Sequence, residues 1–226
     1  MKYDIREVSM TAILAALFVV LGLIPFSVFI GGPAMITAAI VVVPLMAYIL
    51  SPTWAFVSGA MGGLVTLAFM TGYGPVMGPY TILIPSVAAC IGSIGFHSKG
   101  WKLIIPPMAL LGELLIYIVH YDGQATLLWG VHYVIAIVIF AVGVIMAKVQ
   151  VKNPIAIVGN TAITTMMENA MLNLGSMFII ALPATLWTVI APASWMERTL
   201  ATIGSVIIIT AIDKSKILSK IGWNKN

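Results

Sequence analysis

Two carboxylates sit inside long apolar runs of this chain, Glu113 in ALLGELLIYIV and Glu168 in TTMMENAMLNLGSM. On insertion scales an acidic side chain at the centre of a membrane helix costs on the order of 2.5–3.5 kcal/mol. Such a residue must face a bundle interior or a wet cavity, and it is a functional candidate by default. Glu168 also belongs to a pattern. Asn160, Thr164 and Glu168 repeat at four-residue spacing, as do Thr161, Thr165, Asn169 and Asn173. Steps of four stay near one face of a helix, so the pattern predicts a broad polar stripe. Two chemistries fit it. Thr and Asn commonly hydrogen-bond to neighbouring helices. Glu168, Asn169 and Asn173 could instead hydrogen-bond a polar ligand.

Depth and neighbours favour the ligand. At 1.5 Å per residue Glu168 lies ~21 Å along its helix from Pro154, and Glu113 ~18 Å from Trp101. Glu197 and Arg198 open the last apolar run. Arg198 could pair with a ligand carboxylate or phosphate. Trp129 or Tyr80 could stack on a ring. His132 could share a metal with His120, but an interfacial histidine accounts for it better, so no metal is expected. An interfacial belt explains the aromatic residues. A pocket open to the outside explains why Glu113, Glu168, Asn173 and Arg198 share their half of the chain's depth.

Other chemistries lack their motifs. There is no G-x-x-x-x-G-K-[ST] phosphate loop, no H-E-x-x-H zinc helix and no G-x-S-x-G elbow. There is no arginine row of a voltage sensor and no TVGYG-type filter. The expectation is a protein that is not an enzyme, holds no cofactor and does not bind nucleic acid.

The elements that must position these residues are membrane helices. The chain is 61% hydrophobic and 8% charged, with a mean hydropathy of +1.11. An average soluble domain carries roughly 25% charge. Long continuous apolar runs exclude a β-barrel. The fold class expected is all-α, a polytopic transmembrane helix bundle in a single domain over 1–226. A span needs about 20 residues. The predicted runs are Val8 to Ile30, Pro33 to Leu50, Pro52 to Thr71, Tyr80 to Phe96 with a kink at Pro85, Leu103 to His120, Leu127 to Ala147, Pro154 to Ala181, and Trp195 to Ile212. LPATLWTVIAPAS reads as an interfacial elbow before the last run. That is about eight spans, with six or seven also compatible.

Charge sets the orientation. With both termini cytoplasmic, Lys99, Lys102, Lys148, Lys152 and the lysines from Lys214 to Lys225 fall inside, and Asp122 falls outside. Arg198, next to Glu197, is the exception. This satisfies the positive-inside rule. The first run reads as a retained helix and not a signal peptide. Cys90 is the single cysteine, so no disulfide framework is possible. The net charge of +4 belongs to these cytoplasmic ends, in a plasma-membrane, multi-pass protein in contact with lipid.

Small residues mark close helix approach. Ala12 and Ala16 form A-x-x-x-A on the first helix, and Gly59 and Gly63 form G-x-x-x-G on the third. Here the chain resembles a family. MTAILAALFVVLGLIPF looks like the first helix of substrate-binding S components of energy-coupling factor (ECF) transporters, in archaeal-like form. GGPAMITAAIVVVPLMAYILSPTWAFVSGAMGGLVT resembles the next pair, and MENAMLNLGSM, LPATLW and APASWMERTLATIG are similar to the closing helices. The resemblance implies a subunit that captures a vitamin, a related micronutrient or a metal ion from outside. It implies a transmembrane scaffold subunit and two cytoplasmic ATPases as partners, with Ala12 and Ala16 facing the scaffold. It implies that the later helices and the loop after the first helix hold the substrate, which maps onto Glu168, Asn169, Asn173, Glu197 and Arg198. Typical members have six helices, and the stretch from Trp101 to Val149 accounts for the surplus here. The alternative is a self-sufficient secondary transporter with Glu113 and Glu168 as proton-coupling carboxylates. No inverted repeat is evident in support of that alternative.

Overall fold

A computed structural model describes residues 5–28, 35–69, 74–123, 126–147 and 154–220. Pro33, Tyr73, Lys148, Lys152 and Lys225 lie outside the described residues. Helix α1 covers Ile5–Leu21. Strands β1 (Pro25–Val28) and β2 (Met35–Thr37) then form an antiparallel hairpin. A 3-10 turn, Ala38–Val41, leads into the short α2, Val42–Ile49. Next come α3 (Pro52–Ala68), the four-residue α4 (Gly74–Met77) and α5 (Leu83–His97). They are followed by α6 (Ile105–His120), α7 (Thr126–Ala147), α8 (Pro154–Phe178), α9 (Ala184–Ser215) and the short α10 (Ile217–Lys220).

Eight of these helices have eight residues or more, one for each predicted run. Four segments are long and apolar enough to cross a membrane: Gly74–His97, Gly100–His120, Leu128–Ala147 and Ala184–Ser215. Their outward faces carry large apolar side chains, among them Val131, Val134, Val138, Ile203 and Ile207. Lipid, not water, suits such a surface.

Two sequence expectations are corrected, the extent of the first helix and the elbow before the last. The first helix ends at Leu21 instead of continuing to Ile30, and the hairpin replaces its outer end. Pro25 starts β1, where its missing N–H removes no ladder bond. Pro85 lies within the segment Gly74–His97, just past the 3-10 turn Gly78–Ile82. It lies in the first turn of α5, where no intrahelical N–H bond is due. LPATLWTVIAPAS is not an elbow, because α9 begins at Ala184 and runs through Pro192.

Polar bonds tie one end of the bundle together. The Ser51 N–H at the start of α3 donates to Glu7 Oε1 (3.1 Å). Ser93 Oγ donates to Leu50 O (2.7 Å). Tyr48 Oη donates to Asp213 Oδ1 (3.3 Å). Lys99, Lys102, Lys214 and Lys216 are exposed near this end.

Helix α8 is the axis of the fold. Of its 25 residues 18 are buried, 15 of them in an unbroken run from Gly159 to Asn173. Glycine sets the spacing of its neighbours. A Cβ at Gly159 would lie 2.7 Å from Phe140 Cα, and one at Gly143 would lie 2.9 Å from Ala156 Cα, so α7 and α8 touch backbone to backbone. On α5, a Cβ at Gly92 would collide with Thr164, and one at Gly95 with Asn160. Thr164 also donates to Asn160 O (2.7 Å). This edge of the polar stripe is therefore helix packing. Gly59 and Gly63 likewise pack inside the bundle, against Pro85 and Ile82. Ala12 and Ala16 are exposed on α1.

Candidate functional site

The other edge of the α8 stripe faces α9. Glu168 and Arg198 form an ion pair, Arg198 Nη1 donating to Glu168 Oε2 at 2.9 Å, with side-chain exposures of 2% and 0%. One helical turn away from this pair, Ser194 Oγ donates to Asn169 Oδ1 (2.9 Å). Thr165 and Thr202 hydroxyls meet at 2.8 Å. Charge-assisted bonds of this kind are strong where water is excluded. Arg198 is thus committed to Glu168 and does not line the cavity described next.

That cavity lies at the end of the bundle opposite the lysines, among β2, α7, α8 and α9. Its volume is about 30 Å³, room for roughly two waters. Asn169, Asn173 and Ser176 of α8, Trp129 of α7, and Trp187, Ser194 and Glu197 of α9 line it. Ile36 of the hairpin also contributes to the wall. The helical period explains the α9 set, since Trp187, Ile190, Ser194 and Glu197 recur at steps of three and four. Trp129 and Trp187 stand nearly perpendicular, with centroids 5.2 Å apart at 82°. Behind them Tyr117 and Tyr121 complete an aromatic cluster. Tyr121 Oη donates to Leu182 O (2.6 Å). Burial pushes the Tyr121 phenol above its ordinary value, and the neighbouring Trp187 N–H acts in the opposite direction.

Several buried polar atoms here have no hydrogen-bond partner. They include Trp129 Nε1 and Asn169 Nδ2. Trp187 Nε1 approaches the Tyr121 hydroxyl without closing a bond. Unmet groups in a dry interior are costly, which makes this cavity a binding candidate.

The remaining predicted residues fall elsewhere. Glu113 is buried on α6 beside the Tyr133 hydroxyl and the Asn173 amide, yet neither carboxylate oxygen closes a hydrogen bond. Asn173 Nδ2 donates instead to Tyr133 Oη (2.9 Å). Glu168 lines a separate void of about 20 Å³ with Thr37, Thr66 and Thr81. Tyr80 Oη donates to Met171 O (2.9 Å), fastening the start of its segment to α8. His132 lies tilted against Trp195, with centroids 5.6 Å apart. Among the described residues no cluster of three or more His, Cys, Asp or Glu could hold a metal ion.

Of the predicted site residues, the cavity unites Asn169, Asn173, Glu197 and Trp129. Sequence reasoning missed Trp187, Ser194 and Ser176. The spacing of Trp187, Ser194 and Glu197 could have revealed them, but Pro183 and Pro192 disguised the helix. No family model matches the chain, and no curated protein or solved structure matches it either.

Proposed function

We propose that this chain is the membrane-embedded solute-binding subunit of an ATP-driven importer of the energy-coupling factor type. It captures a small polar or aromatic solute, such as a vitamin, in the cavity between α7, α8 and α9. The observation that carries this reading is a cavity lined by Trp129 and Asn169, two residues whose buried donors, Nε1 and Nδ2, lack hydrogen-bond partners. The hairpin after α1 supports it by covering the cavity through Ile36. Exposed Ala12 and Ala16 support α1 as the face for a transmembrane scaffold subunit, which two cytoplasmic ATPases drive. In this reading about eight segments cross the membrane, six or seven also being compatible, with both termini and the exposed lysines cytoplasmic. Single cysteines placed in a Cys90→Ser background and labelled from each side test that topology.

Native mass spectrometry in detergent tests the function by reading bound solute and partner subunits together. The expected result is a retained small molecule that Asn169→Ala releases, and partners that Ala12→Leu/Ala16→Leu releases. Partners that stay bound to the Leu variant would exclude α1 as the docking face. One observation favours the secondary-transporter alternative: Glu113 has two unpartnered carboxylate oxygens. Glu168, held by Arg198, is a poor second coupling group. Uptake by the chain alone in liposomes under a pH gradient would establish that alternative.

A further inference from the structure

A second hollow shares no residue with the cavity between α7, α8 and α9. It lies between α6 and α7, at the end of the bundle that carries the lysines. Its volume is about 410 Å³, within the ~300–1,000 Å³ of ligand pockets in general. The cause is a splay of the two helices. Nearer their shared turn they are close, and a Cβ at Gly130 would lie 3.7 Å from Leu114 Cδ2. At the other end the 3-10 turn Gly100–Ile104 leads the chain into α6, and a groove fills the space before α7. Leu103, Ile104 and Pro107 form one wall, and Ile137, Phe140 and Val144 recur at steps of three and four on the other. Every residue that lines the groove is apolar or glycine. Ile104 and Ile145, at 58% and 62% exposure, hold its open side. That side faces the flank that lipid suits.

The mouth of the groove is basic. Lys99 and Lys102 flank Gly100 and Leu103 in the chain, and both are exposed with no ion pair among the described residues. The described carboxylates of this end are engaged. Glu7 Oε1 accepts the Ser51 N–H (3.1 Å), and Asp213 Oδ1 accepts the Tyr48 hydroxyl (3.3 Å). Trp101, between the two lysines, is 71% exposed, as indoles are where hydrocarbon meets headgroups. An apolar solute would cover the walls and leave the lysines unused. A soluble anion would use the lysines and leave the walls bare. A lipid with an anionic headgroup does both. We infer that this groove is a site for one anionic phospholipid, with an acyl chain between α6 and α7 and the phosphate held by Lys99 and Lys102. The lipid site requires these segments to lie in a membrane and does not depend on the solute cavity.

The test is native mass spectrometry of the delipidated protein in detergent, titrated with three probes. Phosphatidylglycerol is anionic. Phosphatidylcholine with the same acyl chains has no net charge, and glycerol 3-phosphate has the anion without the chains. One phosphatidylglycerol should bind at least tenfold more tightly than phosphatidylcholine, since each lysine near an anionic headgroup contributes about fivefold. Glycerol 3-phosphate should not bind. Lys99→Gln/Lys102→Gln should bring phosphatidylglycerol to the level of phosphatidylcholine. Lys214→Gln/Lys216→Gln, at the end of α9, should leave it unchanged. Ala141→Phe puts a ring into the groove from an exposed position and should weaken both lipids about tenfold. Should Ala141→Phe fail to fold, the lysine pair alone decides. Phosphatidylcholine binding as tightly as phosphatidylglycerol, or equal losses from the two lysine pairs, overturns the headgroup contact and with it the site. Phosphatidylglycerol held by folded Ala141→Phe at parental strength overturns the acyl groove. Glycerol 3-phosphate binding as tightly as the lipid overturns the need for a chain. A protein subunit that the parent retains without lipid, and that Ala141→Phe releases, overturns the lipid as occupant.

Discussion

Glu168 and Glu113 are equally buried, at 1% and 3% exposure, and the bundle treats them differently. Glu168 sits on the seam between α8 and α9 and closes a 2.9 Å ion pair with Arg198. Around it Asn169 meets Ser194 and Thr165 meets Thr202. Glu113 sits on the seam of α6 with α7 and α8, beside Tyr133 and Asn173, and both its oxygens lack a bond. Tyr117 Oη on the same helix is also unpartnered. The first seam closes its charged pair within the protein and leaves one donor, Asn169 Nδ2, unmet. The second keeps unmet polar groups, and the cavity wall formed by Trp129 and Asn173 adjoins it. A buried polar group without a partner persists only where folding elsewhere holds it or a ligand meets it. The unmet groups around the ion pair, not the ion pair itself, are therefore the place to look for function.

The sharpest way to break this comparison is at Arg198. Arg198→Met leaves Glu168 as an uncompensated buried carboxylate, and the expected loss is about 3–5 kcal/mol. It should show as a large fall in thermal midpoint in detergent, or as no folded protein. Glu168→Leu/Arg198→Met should recover most of the loss, because an apolar pair can replace a buried ion pair. A single variant as stable as the parent would mean that the pair does not hold the α8–α9 seam. Next in size is the glycine contact of α8 with α7. Gly159→Ala would force a methyl to 2.7 Å from Phe140 Cα and should cost about 1–3 kcal/mol. Gly112→Ala on α6 has nothing within 4 Å, so the higher helix propensity of alanine should leave stability equal or slightly raised. Equal losses at the two glycines would show that the backbone contact is not the constraint.

Much of the helical order was legible in the sequence. The run predicted from Leu127 to Ala147 is α7 within one residue, and Pro154 opens α8 as expected, because a first-turn proline fixes a helix start locally. The hairpin was not legible. Pro25–Val28 continues the apolar run of α1, and an apolar strand there shows no alternation against an apolar helix. The start of α9 was hidden by Pro183 and Pro192, which read as breaks although Pro183 only precedes the helix. For the site, period and polarity pointed to Asn169, Asn173, Glu197 and Trp129, and these four line one cavity. Partnership was the illegible part. Arg198 read as a ligand contact and instead meets Glu168, and Thr164 read as stripe and instead fits against Gly92. Such pairings depend on how two helices cross, which local spacing does not encode.

Smaller effects separate the two seams further. Asn169 and Ser194 share one buried bond, and a double-mutant cycle with Asn169→Ala and Ser194→Ala should return a coupling of about 1 kcal/mol. No coupling would remove that bond from the α8–α9 seam. The smallest expected effect is the most informative. Glu113→Gln keeps the shape of the side chain and removes the ionisable group. Since neither Glu113 oxygen closes a bond, the substitution has no formed bond to break. The new amide gains an N–H beside the Tyr133 hydroxyl, which is an acceptor within its surroundings. Stability should therefore stay within about 0.5 kcal/mol of the parent or rise. Glu168→Gln, by contrast, removes the charge that Arg198 needs and should fall well below it. If Glu113→Gln were as damaging as Glu168→Gln, Glu113 would be held by a partner as firm as Arg198, and the two seams would be alike after all.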